Sequence, residues 1–343
     1  MKKIMAAMMA SVMVLSLAGC KGNAEGGADK NATYKLGMGV VTSIASSSAG
    51  KAQVDATVAT VVTDDAGKIV SCKIDVAQNK MEVADGAVPE DAASATFKTK
   101  KEKGDEYAMR GASPIGKEWF EQAEAFEQYV VGKTAAEVAA IPTQTTDNGH
   151  VVTTDETLLA GCTMSISDMI SATVKACNDD GANTFTGDAK LAIACTTKVD
   201  SATKSAADGE DGVAAMYTSF AAVAVDADGK LAAVCYDEVQ PKVTFDAAGE
   251  ITSDTAAEIK TKREKKDEYN MRGASAIGKE WFEQNQAFED FVTGKTASEI
   301  SAIPTETLDN GHVVTTDETL YAGCTMSVGG MIDTVVKSVN MAG

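Results

Sequence analysis

Aromatic side chains are scarce in this chain, at 5% of residues with 2 Trp, so its cores have to be assembled from small aliphatic side chains. Histidine numbers 2 and proline 5 in 343 residues. With so few histidines and no G-x-S-x-G, a Ser/His hydrolase is unsupported. Positive charge is in deficit: 31 Lys and Arg against 50 Asp and Glu leave a net charge of −19. That balance argues against nucleic acid as a partner and against adsorption to anionic lipid headgroups. There is no C-x-x-C and no Cys/His cluster with zinc spacing. Past Cys20 no apolar run is long enough to span a bilayer.

What is present begins with an address. Lys2 and Lys3 precede an apolar run from Ile4 to Leu17, which closes on Leu17-Ala18-Gly19-Cys20. The run is short for a membrane span and reads as a signal peptide over 1–19. Small residues before a cysteine resemble the bacterial lipobox, which implies cleavage before Cys20 and a diacylglycerol on its sulfur, an anchor of two acyl chains. Residues 20–33, rich in Gly, Ala and Asn, read as a flexible tether. The chain is then expected on the extracytoplasmic side of the cell membrane, touching lipid through its anchor alone.

Six cysteines follow: Cys72, Cys162, Cys177, Cys195, Cys235 and Cys324. Only Cys162 and Cys324 occupy matching places in a long internal repeat, so no repeated disulfide framework exists, and free, mostly buried thiols are expected. The repeat itself has an offset of 162: Trp119 recurs as Trp281, His150 as His312 and Thr163 as Thr325. It is near-identical from Asp105/Asp267 to Lys175/Lys337 and weaker before that. A period of this length means tandem domains rather than a solenoid, here 34–178 and 185–343.

Each half opens with strand-like segments and ends with helices, which makes the fold α+β, an antiparallel sheet followed by helices in each domain. Asp64-Asp65-Ala66-Gly67 and Asp226-Ala227-Asp228-Gly229 are hairpin turns between alternating segments. Cys72 aligns with Val234 rather than Cys235, so these two thiols should face opposite sides of their strands. Trp119, Phe120, Ala123, Phe126 and Val130 recur at helical spacing, as do Trp281, Phe282, Phe288, Phe291 and Val292. Thr134 to Ile141 and Thr296 to Ile303 each read as a short helix, with Thr as N-cap, Glu three residues on and Pro beyond.

Two familiar motifs fail. Gly132-Lys133-Thr134 ends like a P-loop, but Glu127 and Glu289 stand where its first glycine belongs. Ser48-Ala49-Gly50-Lys51 fits S-x-x-K without the accompanying motifs. His150 and His312 share an Asn-Gly-His context. A ring hydrogen bond that closes a loop and a polar contact to a ligand edge are the two readings.

One duplicated hexapeptide stands out: Ala160-Gly161-Cys162-Thr163-Met164-Ser165 and Ala322-Gly323-Cys324-Thr325-Met326-Ser327. Gly161 and Gly323 let a ligand approach the backbone, Cys162 and Cys324 are small, and Thr163 and Thr325 bring a hydroxyl just ahead of the last helix. A phosphate at the helix start and a plain helix N-cap both follow from such a sequence.

The hexapeptide is similar to the S-G-A-T-x-T-S signature of the FMN-binding domains of bacterial respiratory flavoproteins. Its surroundings, Ile115-Gly116-Lys117-Glu118-Trp119-Phe120-Glu121-Gln122 and Val131-Gly132-Lys133-Thr134, resemble the tandem FMN-binding lipoproteins of Gram-positive extracellular electron transfer. Ala replaces the first Ser and Cys replaces the Ala before Thr, both small changes. The resemblance implies two FMN groups, joined to Thr163 and Thr325 as phosphoesters by a flavin transferase. It also implies electron relay from a membrane quinol-linked donor to extracellular acceptors, by a carrier rather than an enzyme with its own substrate. For the isoalloxazine, the candidates are Trp119 and Trp281 or Met109 and Met271, with helix core packing as the other reading of the tryptophans. The alternative function is a lipid-anchored binding protein for a small anionic or phosphorylated ligand, without a redox role.

Overall fold

The protein is described by a computed structural model over residues 32–342. The signal peptide and Cys20 lie outside the described residues. Strands β1 (Thr33–Ser43), β2 (Lys51–Thr63) and β3 (Ile69–Glu82) form an antiparallel meander. The turn between β2 and β3 is held by Asp64, whose Oδ1 accepts the Ala66 and Lys68 N–H groups. Next come helices α1 (Lys100–Lys103), α2 (Trp119–Val130) and α3 (Ala135–Ala139) and the hairpin of β4 (Thr143–Thr145) and β5 (Val151–Thr153). Helices α4 (Glu156–Leu159) and α5 (Ser167–Cys177) complete the first half.

After β6 (Asn183–Thr186), the second half repeats the plan with β7 (Lys190–Val199), β8 (Gly212–Val225) and β9 (Leu231–Val239), to which it adds β10 (Lys242–Phe245). Its helices are α6 (Lys262–Lys265), α7 (Trp281–Val292) and α8 (Ala297–Ser301). The hairpin of β11 (Thr305–Thr307) and β12 (Val313–Thr315) then leads to α9 (Glu318–Tyr321) and α10 (Gly329–Ala342). The fold is α+β, with antiparallel sheets and helices in each half.

Local chemistry explains the helix bounds. Thr134 and Thr296 cap α3 and α8 through reciprocal capping boxes with Glu137 and Glu299, satisfying backbone donors that a helix start leaves unpaired. Past α2 and α7, Gly132 and Gly294 take φ of 83° and 82°. Their N–H groups bond to the Ile69 and Leu231 carbonyls, which stitches each helix end to a strand.

The two sheets, β3-β2-β1-β6 and β10-β8-β7 with β9 beside β8, meet face to face. Leu36, Val40, Val58, Phe220, Ala222, Ala224 and Cys235 lie in the core they share. Outside them, α2, α3 and α5 cover the first sheet and α7, α8 and α10 the second, giving layers of helix, sheet, sheet and helix. Both faces of each sheet are therefore buried, and this accounts for the near-continuous apolar runs of β2 and β8. Each half has a core of its own between its sheet and its helices, as two tandem domains would suggest, and the sheets enclose a further one between them. The middle one belongs to both.

Residue 185, where the second domain is expected to begin, falls in β6, the edge strand of the first sheet. There Phe185 packs on Tyr34 with ring centroids 5.7 Å apart. Thr33, assigned by sequence to the tether, is already in β1. The opposed thiols are found: Cys72 lies under the helices and Cys235 between the sheets, where its Sγ donates to the Leu36 carbonyl at 3.3 Å. All six described cysteines are free.

The halves are also latched by reciprocal ion pairs. Lys175 of α5 reaches Glu264 of α6 at 2.6 Å, and its repeat counterpart Lys337 of α10 reaches Glu102 of α1 at 2.5 Å. Beneath the first latch Arg263 bonds Asp179 at 3.3 Å among the buried carboxylates Asp237 and Glu289. No helix among the described residues is long and apolar enough to cross a membrane.

Candidate functional site

The hexapeptide follows α4, whose start is fixed by the Asp155 carboxylate accepting the Thr157 and Leu158 N–H groups at 3.0 Å. The helix ends as Gly161 N–H and Cys162 N–H both donate to the Leu158 carbonyl, at 2.9 and 2.8 Å. Gly161 is required by packing: a Cβ there would stand 2.7 Å from Ala125 Cβ on α2, and one at Gly323 would stand 2.7 Å from Ala287 Cβ on α7. Cys162 and Cys324 are fully buried. Burial pushes both thiols up to about 11, with the following backbone and the charges of Lys117 and Lys279 opposing. These sulfurs are small spacers and poor nucleophiles.

Thr163 and Thr325 are half-buried and cap nothing. The N-cap position of α5 belongs to Ile166, three residues further on, with no side-chain cap. What holds each threonine is a glutamine. Gln122 Oε1 accepts the Thr163 backbone N–H at 2.9 Å and its hydroxyl at 3.2 Å, and Gln284 does the same for Thr325 at 2.8 and 3.2 Å. The glutamines are 1% and 0% exposed, and their own amide groups are occupied. Gln122 Nε2 donates to Ser113 Oγ at 3.2 Å and to the Lys117 carbonyl at 3.1 Å; Gln284 Nε2 donates to Ser275 Oγ and the Lys279 carbonyl, each at 3.1 Å.

The loop that carries Ser113 and Lys117 is itself fixed. Glu118, at the N-cap of α2, accepts the Met109 and Arg110 N–H groups at 2.9 and 2.8 Å, and Glu280 repeats this with Met271 and Arg272. Met109 is half-buried, with its Sδ 3.4 Å from Gln122 Nε2, and Met271 is half-buried in the matching place. The loop on the other side is pinned as well: Val151 N–H donates to Ser165 Oγ at 3.3 Å, and Ile166 N–H donates to the Val151 carbonyl at 2.9 Å.

The structure therefore joins Thr163, Gly161, Cys162 and Met109 in one cluster and leaves others out. Trp119 and Trp281 are each 3% exposed. Their ring faces are taken by core packing and by Lys100 and Lys262, at 5.4 and 5.2 Å from the centroids. Helix core packing, not a stacking platform, is what these tryptophans do. His150 and His312 are exposed at the tips of the β4–β5 and β11–β12 hairpins. Backbone groups close these tips, the His150 carbonyl accepting from Thr146 N–H at 2.8 Å and the His312 carbonyl from Leu308 N–H at 2.8 Å. The rings are not used for that purpose.

Sequence reasoning missed Gln122 and Gln284. The signal was there: a carboxamide in the apolar stripe between Trp119 and Phe126, where a buried polar group needs partners. Glu127, which stands where a P-loop would have its first glycine, is a buried strut that accepts the Ile74 N–H at 2.8 Å and pairs with Lys101 at 2.5 Å. A separate cavity of about 320 Å³ lies between the halves, lined in part by Lys175, Asp180, Arg263 and Lys266, and contains neither threonine. Its cations are committed to Glu264, Asp179 and Asp180.

Among known proteins, the chlorophenol reductase of Desulfitobacterium hafniense is 41% identical over 86 residues, which cover 22% of this chain and 26% of that protein. The match thus spans about a quarter of the relative's length. No family model and no solved structure matches the chain.

Proposed function

We propose that the chain is a membrane-anchored extracytoplasmic flavoprotein that carries two FMN groups, one bound through a phosphoester to Thr163 and one to Thr325. In this reading a lipid on Cys20 tethers it, a flavin transferase loads it, and it relays electrons from a membrane quinol-linked donor to extracellular acceptors. The observation that carries the reading is the pair of threonine hydroxyls. Each is half-buried and held by a buried glutamine, with one geometry in both halves. The similarity to a protein named as a reductase supports a redox role in the same direction.

The residues present fit such a group. A hydroxyl that caps no helix is available for esterification, and Lys117 lies close enough to act on Cys162 electrostatically, so a phosphate on the neighbouring Thr163 would meet positive charge. Met109 and Met164 offer half-buried, polarisable surface beside it. Bound FMN would supply the redox chemistry, and the protein would supply attachment, orientation and electrostatics. The hydrogen bond from Thr163 N–H to Gln122 does not involve the hydroxyl, so it can hold the loop after esterification. Cys162 and Cys324 have no part in attachment.

Intact mass of protein co-expressed with a flavin transferase tests the reading. Two additions, each of one FMN less one water, are expected in the wild type, one in Thr163→Ala and none in the double variant with Thr325→Ala. Wild-type protein without added mass after co-expression would refute covalent attachment.

A further inference from the structure

We infer that Gln122 and Gln284 are positioning residues that hold Thr163 and Thr325 as acceptors, and that the base for esterification comes from the partner that delivers the flavin. The inference rests on the attachment reading above and goes beyond it by dividing the work between the two proteins. Its ground is the chemistry of one side chain seen twice. In each half a carboxamide oxygen accepts both the backbone N–H and the hydroxyl of the same threonine, at 2.9 and 3.2 Å in the first and 2.8 and 3.2 Å in the second. Two bonds from one residue to one atom fix both the loop position and the direction of the O–H.

The glutamine cannot turn away. Its nitrogen is spent on a serine hydroxyl and a lysine carbonyl, and the side chain is buried. This arrangement also assigns the oxygen and nitrogen ends of the amide, because the Lys117 carbonyl can only be met by a donor.

A carboxamide does not take up a proton near neutral pH. Among the described residues no carboxylate or imidazole is bonded to either hydroxyl. Glu118 and Glu280, the buried carboxylates four residues before the two glutamines, are committed to backbone N–H groups. The site thus orients a neutral alcohol and does not activate it. In the transfer, Oγ1 of the threonine forms a bond to the flavin-bearing phosphorus. The phosphorus–oxygen bond to the leaving group of an activated flavin nucleotide breaks, as in a phosphoanhydride whose nucleoside monophosphate departs with the electron pair. The hydroxyl proton passes to a base of the transferase. No electron changes hands. The chain alone, mixed with such an anhydride, should therefore stay unmodified.

The duplicated site supplies its own control. In Gln122→Met, matched in length and lacking both the amide donor and the carboxamide oxygen, esterification of the Thr163 peptide at saturating transferase should slow by roughly tenfold to a hundredfold. The Thr325 peptide of the same molecules should label at the wild-type rate, and the transferase concentration for half-maximal rate should not change. Gln284→Met should invert the pattern. Ser113→Ala keeps the oxygen on the threonine and loosens the nitrogen, so it should slow Thr163 by only about fivefold; its thermal midpoint reports whether the half is folded. Equal labelling of both peptides in folded Gln122→Met would overturn the positioning role, and labelling by the anhydride without transferase would overturn the assignment of the base. An unlabelled wild type with active transferase would instead refute the attachment reading itself.

Discussion

Gly161→Ala tests how the loop that carries Thr163 is seated. Gly161 does not have a positive φ, so its backbone accepts an alanine, and any cost comes from the added methyl. That methyl would lie 2.7 Å from Ala125 Cβ, whereas carbons in good contact sit about 3.5–4.0 Å apart. Helix α2 or the loop must give by about one ångström, at a cost of about 1–3 kcal/mol typical of overpacking. Ala125→Gly on its own should cost about 1 kcal/mol through helix propensity. Combined, the two changes move the methyl from one side of the contact to the other and relieve the clash, so the double variant should be no worse than Ala125→Gly. Independent effects would instead sum to about 2–4 kcal/mol. Urea midpoints at constant slope measure the cycle, and Gly323→Ala with Ala287→Gly repeats it in the second half, where the distance is also 2.7 Å. Hydrogen exchange at the Thr163 amide should accelerate in Gly161→Ala and return to normal in the double variant. Strict additivity in both halves would refute the claim that these glycines are there for the helix.

Other outcomes follow from the charges and thiols. Burial pushes Asp237 up to about 6 and Glu289 up to about 7, with Arg263 opposing in each case. Since unfolded carboxyls titrate near 4, the native state holds more protons between about pH 4 and 7. Their contribution is fully present below about pH 4 and is lost as pH rises through the folded values. Glu289→Gln should flatten this part of the curve of urea midpoint against pH, and an unchanged slope would count against the assignment. Arg263→Ala strands buried carboxylates and should cost about 3–5 kcal/mol, whereas Lys266→Ala, from an exposed pair with Asp180, should cost under about 1 kcal/mol; equal losses in denaturant titrations would contradict this. Cys162 and Cys324 should resist iodoacetamide at pH 8 in native protein and react once it is unfolded, as peptide mass mapping can show; fast native alkylation would contradict their burial.

Much of this architecture was legible from local chemistry. The Thr-x-x-Glu boxes of α3 and α8 satisfy their own helix starts, so they can be read without knowing the neighbours. The sides taken by Cys72 and Cys235 follow from the period of two along a strand. The shared middle core was not legible, because a strand buried on both faces loses its alternation, and nothing in β2 or β8 says whether the second cover is a helix or another sheet. Gly161 has the same limit. A small residue beside a threonine hydroxyl looks like room for a ligand, and only the position of Ala125 shows what its own Cβ would meet. Gln122 was hidden for the opposite reason: it lies 41 positions from Thr163 in sequence, and its role appears only when α2 and the loop after α4 come together.

The reciprocal latches, Lys175 to Glu264 and Lys337 to Glu102, have the pattern of a twofold dimer whose subunits have been written into one chain. Such a chain can be nicked without coming apart. Cleavage of the connection after α5 would leave the inner sheet faces joined and both latches closed, so the pieces should migrate together until denatured. A half expressed alone would carry its inner face bare, and its simplest remedy would be a second copy of itself. Fusion also frees the copies from identity: Glu127 pairs with Lys101 and Lys73 in one half, while in the other the counterparts of Lys101 and Glu127, Arg263 and Glu289, sit in a buried network that includes Asp179 and Asn183. What remained common through that divergence is the pair of held threonines, one beside each outer helical layer of the same sandwich.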